Sequence, residues 1–440
     1  MKYLKLFFCI VVSSFFVFSG TCALELCDGL QLRSESVYIV NENTGKVILN
    51  KNGDIKRSPA SLTKIVTFLV VYESVSNIAE TKVRVRQEVL DLVDPDSSGV
   101  HLKAGEEISV LDLMHCMLIC SSGYAANVLA DYVGEGNIQN FVQKMNEKVL
   151  EIGCEDTHFE NADGMHSENQ YSTALDMYKI TQYARNIPTF NTITSMCEYS
   201  CFGDERDPII TTNYTMDVKR GGGYYSPYVK GIKTGYTKEA GRCLISRGES
   251  CGVSYIAVVM GGPVEDENGN PILKNWAMID TKKIYNWVYK NLRLEKLYPK
   301  DFPVAEIPLK YVWGADKLLL RPEKDFLAVI PADFKKEDIT IKTQIPEYIK
   351  APVKEGDILG NAEVFYKGER LGSFKIVSAK TYKRNLFVQF FDFLKKLFSN
   401  PIFIILFVIV LVFALFYLAA MVKAARRRRY RRKVRRFRKK

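Results

Sequence analysis

An α/β (α+β) architecture follows from three observations on the 440-residue sequence. Strand signals stand at both ends of residues 24–295, helical signals fill the interval between them, and a proline-punctuated run of short strands comes next. Strands supplied by both ends of one segment point to an antiparallel sheet that the two ends build together, carrying an inserted helical subdomain. A small all-β domain and a C-terminal transmembrane helix complete the predicted order.

The elements read in sequence as follows. Residues 1–23 have the form of a secretory signal peptide, with Lys2 and Lys5, an apolar run from Leu6 to Phe18, and the small-residue site Thr21-Cys22-Ala23. Val37 to Val40, the turn Asn43-Thr44-Gly45 and Val47 to Leu49 form a β-hairpin pattern. Pro59 suits the first position of a helix, and Ile65 to Tyr72 is apolar almost all round, as in a buried helix. Helical stretches continue to about residue 187, strand signals return at Val229–Thr234, Arg242–Ser246 and Val253–Met260, and a helix spans Thr281–Leu292.

Residues 300–382 form the all-β domain: proline recurs at 303, 308, 322, 331, 346 and 352, with alternating runs such as Ile339 to Lys342 and a hairpin turn at Lys367-Gly368. Residues 385–399 carry an amphipathic stripe, Leu386, Phe387, Phe390, Leu394, Leu397 and Phe398, expected either at a membrane interface or packed on the β-domain. Residues 401–422 hold no charge, and as a helix they would extend about 33 Å, enough to cross a bilayer. The tail, 423–440, carries 13 Lys or Arg and no acid. Positive flanks stay cytoplasmic, which puts the main body outside the cell membrane.

Charge and cysteine usage narrow the function. Setting the tail aside leaves 48 of the 61 basic residues against 50 acidic ones, so the net charge of +11 is a membrane-flank feature and no nucleic-acid partner is expected. Cys27, Cys116, Cys120, Cys154, Cys197, Cys201, Cys243 and Cys251 follow the signal; an exported chain permits disulfides, and Cys243 and Cys251 are placed to face each other across a hairpin. Cys116 and Cys120 read as small core residues. With four histidines and no H-E-x-x-H or paired C-x-x-C, neither a metal nor another cofactor is expected.

The chemistry centres on Ser61-Leu62-Thr63-Lys64 at the start of the apolar helix. Positions three apart share a helix face, so hydroxyl and amine can meet. An amine in apolar surroundings loses proton affinity and can serve as the base that a serine nucleophile needs. Lys233-Thr234-Gly235, at the end of a strand, offers an amine and a hydroxyl to a carboxylate, and glycine permits close backbone approach. Ser121-Ser122-Gly123 breaks two apolar helices, where Ser121 could relay a proton.

Ser-Pro-Ala-Ser-Leu-Thr-Lys at 58–64 and Val-Lys-Gly-Ile-Lys-Thr-Gly-Tyr-Thr at 229–237 resemble the low-molecular-mass penicillin-binding proteins, the serine-type D-alanyl-D-alanine carboxypeptidases. The runs starting at Asn127, Phe159 and Ala257 match the same framework, and the resemblance covers about residues 30–295. It implies a serine β-lactamase/transpeptidase-like domain acting on peptidoglycan stem peptides, with β-lactams as covalent inhibitors. It also implies Ser61 as nucleophile, Lys64 as its base and Ser121 in proton transfer. Lys233, Thr234 and Gly235 would bind substrate, with the Ser61 and Tyr236 backbone N–H groups as oxyanion hole.

One departure stands out. The family's middle motif is Ser-x-Asn, and here Gly123 occupies the asparagine position; Asn127, one helical turn on, is the amide nearest in sequence. Alternatives to the carboxypeptidase are a non-catalytic or weakly active wall scaffold, for which Gly123 argues, and a transpeptidase or endopeptidase using the same residues.

Overall fold

The computed structural model describes residues 29–95, 97–211 and 223–437. The signal-peptide segment and Cys27 lie outside them. Two compact units emerge, residues up to 295 together with 327–335, and 296–326 together with 336 onward.

In the first unit, β1 (Ser36–Asn41) and β2 (Val47–Lys51) form the expected hairpin. A 3₁₀ turn at Ala60–Thr63 runs into α1 (Lys64–Ser74), followed by β3 (Lys82–Arg84), α2 (Gln87–Leu90) and β4 (Glu107–Ser109). Five helices come next: α3 (Val110–Ile119), α4 (Gly123–Val133), α5 (Ile138–Ile152), α6 (Ala174–Ala184) and α7 (Pro188–Ser195). The short β5 (Glu198–Tyr199) and β6 (Ile209–Ile210) precede β7 (Val229–Thr237), β8 (Gly241–Ser250), β9 (Val253–Gly262) and α8 (Trp276–Asn291).

The antiparallel sheet has the order β2-β1-β9-β8-β7, so strands from both ends of the unit meet at the β1–β9 ladder, with Ile39 opposite Ala257. Successive side chains on a strand point to opposite faces, and these strands are apolar on both. Tyr38 and Val40, with Ile256, Val258 and Met260, pack toward the helical subdomain. Val37 and Ile39, with Tyr255, Ala257 and Val259, pack toward α8. A sheet covered on both sides needs continuous apolar runs, which is why β1 and β9 do not alternate. Helix α1 is buried from Lys64 through Val71, the all-round burial its composition predicts.

Two expectations change. The last helix starts at Trp276, ahead of Thr281, because Asn275 caps it by accepting the Met278 N–H at 3.2 Å. Cys243 and Cys251 do not face each other: Cys251 sits with Gly252 in the two-residue β8–β9 turn, whereas Cys243 is buried near the opposite end of β8. Among the described residues, the Sγ atoms of Cys116 and Cys201 stand 3.9 Å apart, without a disulfide between them.

The second unit contains the end of β10 (Leu292–Tyr298), β11 (Ala305–Lys310), β12 (Lys317–Pro322), the start of β13 (Phe326–Pro331), β14 (Ile339–Gln344), β15 (Ile349–Lys350), β16 (Ile358–Tyr366) and β17 (Glu369–Ser378). Its six-stranded sheet, β14-β16-β17-β12-β11-β15, closes on Leu318, Leu320, Val364 and Ile376. Lys367 and Gly368, both at positive φ, make the tight β16–β17 turn. Helix α9 (Leu386–Ser399) is capped by Asn385 and leaves Leu386, Phe387, Phe390, Phe391 and Phe398 exposed. Helix α10 (Pro401–Phe437) follows, and its segment Pro401–Arg429 is the one helix among the described residues long and apolar enough to cross a membrane.

Residues 33–34 are held to α8 by a buried carboxylate. Asp280 Oδ2 accepts the Arg33 N–H at 2.9 Å, the Ser34 N–H at 2.7 Å and the Ser34 hydroxyl at 2.8 Å. Asp280→Ala strands these buried donors and should cost about 3 kcal/mol of stability in urea unfolding at 25 °C. A loss below about 1 kcal/mol would show that this contact does not hold the N-terminal strand in place.

Candidate active site

The segment expected to supply the nucleophile begins as a 3₁₀ turn rather than an α-helix, with Ser61 inside it and Lys64 as the first α-helical residue. In 3₁₀ geometry residues i and i+3 eclipse one another. The Lys64 Nζ therefore stands 2.9 Å from the Ser61 Oγ and donates to it. Lys64 is only 1% exposed. Its second partner is the Asp163 carbonyl oxygen, a contact across 99 residues.

That carbonyl is delivered by a tightly braced loop. Thr67 on α1 donates to the Ala162 carbonyl at 2.6 Å. Asn161 Oδ1 accepts the Gly164 N–H at 2.8 Å, and Gln170 Oε1 accepts the Glu160 and Asn161 N–H groups at 2.9 and 3.1 Å. Gly164 has φ +86°, and a Cβ there would run into the Ala60 carbonyl and stand 2.9 Å from the Ser61 nitrogen. The run from Phe159 to Gly164 thus packs directly on the nucleophile turn.

Strand β7 closes the other side. A Cβ on Gly235 would stand 3.2 Å from the Ser61 nitrogen and 3.3 Å from the Pro59 oxygen, so the close approach this glycine allows is to the nucleophile turn itself. Lys233, also 1% exposed, donates to Ser121 Oγ at 2.8 Å and to the Thr234 carbonyl at 2.9 Å. Ser121 sits between α3 and α4 at φ +63°. Its hydroxyl is held by Lys233, while Lys64 holds that of Ser61.

Ser61, Lys64, Ser121, Thr234, Gly235 and Tyr236 line one cleft of about 240 Å³, and Lys233 reaches the same Ser121 from β7. Asn127 lies elsewhere: it lines an adjoining groove with Asp91, Asp94 and Glu160. Three contributors escaped sequence reasoning. Asp163 acts through its backbone carbonyl, which carries no side-chain signal. Arg242 on β8 lines the cleft with its guanidinium 5.0 Å from the Tyr236 ring, and its buried Nε has no hydrogen-bond partner. Its signal was the strand register that sets it opposite Tyr236. Ser97 enters from the loop before β4.

Electrostatics follow from burial. Desolvation pulls the Lys64 amine down to about 8, with the Asp163 carboxylate and then Cys120 opposing. Burial pushes the Lys233 amine well below its ordinary value, and the charge of Lys64 adds to the shift. One amine is poised to take a proton near neutrality beside a serine hydroxyl, and a second lies ready for a counter-anion.

Residues 24–264 match the family model described as D-alanyl-D-alanine carboxypeptidase, more than half of the chain. The chain belongs to that family. It is accordingly a serine peptidase, a hydrolase of the penicillin-binding, cell-wall class. Residues 293–384 match the C-terminal domain of penicillin-binding protein 5. Among curated relatives, the D-alanyl-D-alanine carboxypeptidase DacF of Bacillus subtilis is 26% identical, over 81% of this chain and 88% of its own. The solved structure of penicillin-binding protein 5 from Haemophilus influenzae superposes with a TM-score of 0.62 at 24% identity, over 80% of this chain and 98% of its own. The Streptomyces K15 DD-transpeptidase does so with a TM-score of 0.51 at 27% identity, over 59% and 98%.

Gly164 gives this carboxypeptidase a direct structural test. Gly164→Ala forces an L-residue into the left-handed region and against the Ala60 carbonyl, so stability should fall by about 2 kcal/mol. An unchanged unfolding midpoint in urea would mean that the loop does not bear on the nucleophile turn.

Proposed function

We propose that this carboxypeptidase removes the terminal D-alanine from peptidoglycan stem pentapeptides through an acyl-enzyme. One observation carries the reading: a buried lysine amine, lowered to about 8, stands 2.9 Å from a half-buried serine hydroxyl in an open cleft. In the first step Ser61 Oγ bonds to the carbonyl carbon of the D-Ala-D-Ala peptide as its proton passes to Lys64 Nζ. The backbone N–H groups of Ser61 and Tyr236 stabilise the oxyanion. The C–N bond then breaks as Ser121 gives its proton to the leaving amine and regains one from Lys64 Nζ, which returns the amine to its neutral form. In the second step water attacks the ester, Lys64 takes the proton from water, and Ser61 Oγ regains one as the acid departs.

Lys233 and Thr234 hold the terminal carboxylate, with Gly235 keeping that strand against the nucleophile turn and Arg242 adding a guanidinium whose Nε has no hydrogen-bond partner. β-Lactams, as cyclic acyl donors, acylate the same Ser61. The apolar Pro401–Arg429 helix anchors the protein in the cell membrane, with the basic tail cytoplasmic and the catalytic unit outside. A second reading comes from the Streptomyces neighbour described as a DD-transpeptidase: an amine can resolve the acyl-enzyme in place of water.

The decisive assay is D-alanine release from a D-Ala-D-Ala peptide by the full chain in detergent. Wild type should release it, and Ser61→Ala should fall to the uncatalysed background; a folded wild type that releases none overturns the proposal. Adding a glycine acceptor separates the two readings by product, free acid for hydrolysis and a glycine-terminated peptide for transfer.

The pH dependence has a definite sign. Protonated Lys64 cannot accept the Ser61 proton, so the acylation rate by a β-lactam should be low at acid pH. It should rise about tenfold per pH unit and level off above about 8. A flat profile between about pH 6 and pH 9 would exclude Lys64 as the base.

A further inference from the structure

Gly123 leaves the middle motif without its third side chain, and the space is not left to solvent. A Cβ built on Gly123 would collide with the Ser97 hydroxyl, lie 3.1 Å from the Ser97 Cβ, and stand 3.4 Å from Asp163 Oδ2. Ser97 comes from a different segment, the loop between α2 and β4, yet its side chain is buried and lines the cleft beside Ser61, Lys64 and Ser121.

The loop is fastened to the motif itself. The Gly123 N–H donates to the Ser98 carbonyl at 3.2 Å, and the Ser122 hydroxyl donates to the Val100 carbonyl at 2.8 Å. Gly99, at φ +98°, lies so close to Ser122 that a Cβ there would overlap its backbone. Ser97 is thus held at a set position relative to Ser121, as a residue inside the motif would be. Any larger residue at position 123 would displace it.

The geometry points to Ser97 as a substrate-binding residue, its hydroxyl taking the place of the side chain that position 123 lacks and hydrogen-bonding the acyl half of the donor. This inference rests on the acyl-transfer reading above. In that reading Lys233, Thr234 and Arg242, on β7 and β8, take the carboxylate end. The wall formed by Ser97 and Met165 then faces the chain on the acyl side of the scissile bond. The functional group there is a backbone amide, to whose carbonyl a hydroxyl can donate.

The test compares acylation of Ser61 by benzylpenicillin, which carries an acylamide side chain, with acylation by 6-aminopenicillanic acid, which has none. Ser97→Ala should slow benzylpenicillin about tenfold and change the 6-aminopenicillanic acid rate less than twofold. Gly123→Asn alone should slow benzylpenicillin because Ser97 blocks it, and the pair Ser97→Gly with Gly123→Asn should recover at least half of the wild-type rate. Equal slowing of both β-lactams in Ser97→Ala would assign Ser97 a purely structural role and overturn the inference; so would an unchanged benzylpenicillin rate. If Ser97→Ala does not fold, the double variant decides: recovery supports the inference, and a rate no better than Gly123→Asn overturns it. A wild type that neither β-lactam acylates overturns the acyl-transfer reading, and this inference with it.

Discussion

Burial of the Lys64 amine is the constraint around which the first unit is arranged. A helix apolar on all sides has no solvent face, so a lysine at its first position cannot extend its ammonium into water. Burying such a group without partners costs several kcal/mol. The protein offsets that cost with the Ser61 hydroxyl and the Asp163 carbonyl, and lets the remainder appear as lowered proton affinity. Much nearby structure exists to maintain those two contacts. Asn161 and Gln170 fold the 159–170 loop, Thr67 ties it to α1, and Gly164 lets it press on the nucleophile turn. Gly235 does the same from β7. The Lys64 amine is therefore placed by packing, and the Ser61 turn is fixed between two backbones that approach through glycine.

Much of this was legible in the sequence, for physical reasons that differ by element. The β1–β2 hairpin was visible from its two apolar runs and the Asn43-Thr44-Gly45 turn, and β9 because a strand buried on both faces needs an unbroken β-branched and apolar run. The α1 helix was visible because complete burial removes the usual polar stripe. Ser61 and Lys64 could be paired because their spacing of three brings side chains together in either α or 3₁₀ geometry, so the difference between the two did not disturb the expectation. Other features left no such trace. Asp163 contributes a peptide carbonyl, which any residue possesses. Arg242 and Ser97 matter through strand register and loop path, which local pattern does not encode. Cys243 and Cys251 looked like partners because a hairpin was expected between them, yet the turn falls at Cys251 itself and separates them by the length of β8. The segment 327–335 packs with the first unit, where Val329 joins the α8 cluster and Ala332 donates to the Asn291 carbonyl at 2.8 Å. Nothing in its composition distinguishes it from the strands around it.

The two buried lysines also explain how a resting site and a working site can differ without a change of fold. Lys64 depresses the proton affinity of Lys233, and the effect of one charge on another is reciprocal. With both amines desolvated, two positive charges at once are disfavoured. On the proposed mechanism, a substrate carboxylate beside Lys233 would supply a counter-charge and favour the protonated amine. A charged Lys233 would in turn make protonation of Lys64 less favourable, which suits the role proposed for Lys64 as the base for Ser61. Ser121, whose hydroxyl accepts from Lys233, lines the same cleft as Ser61 and Lys64. On that mechanism, recognition of the carboxylate and activation of Ser61 would be coupled electrostatically. On the proposed mechanism, a ligand of the same shape without that carboxylate would bring no counter-charge to Lys233 and would not engage its coupling to Lys64.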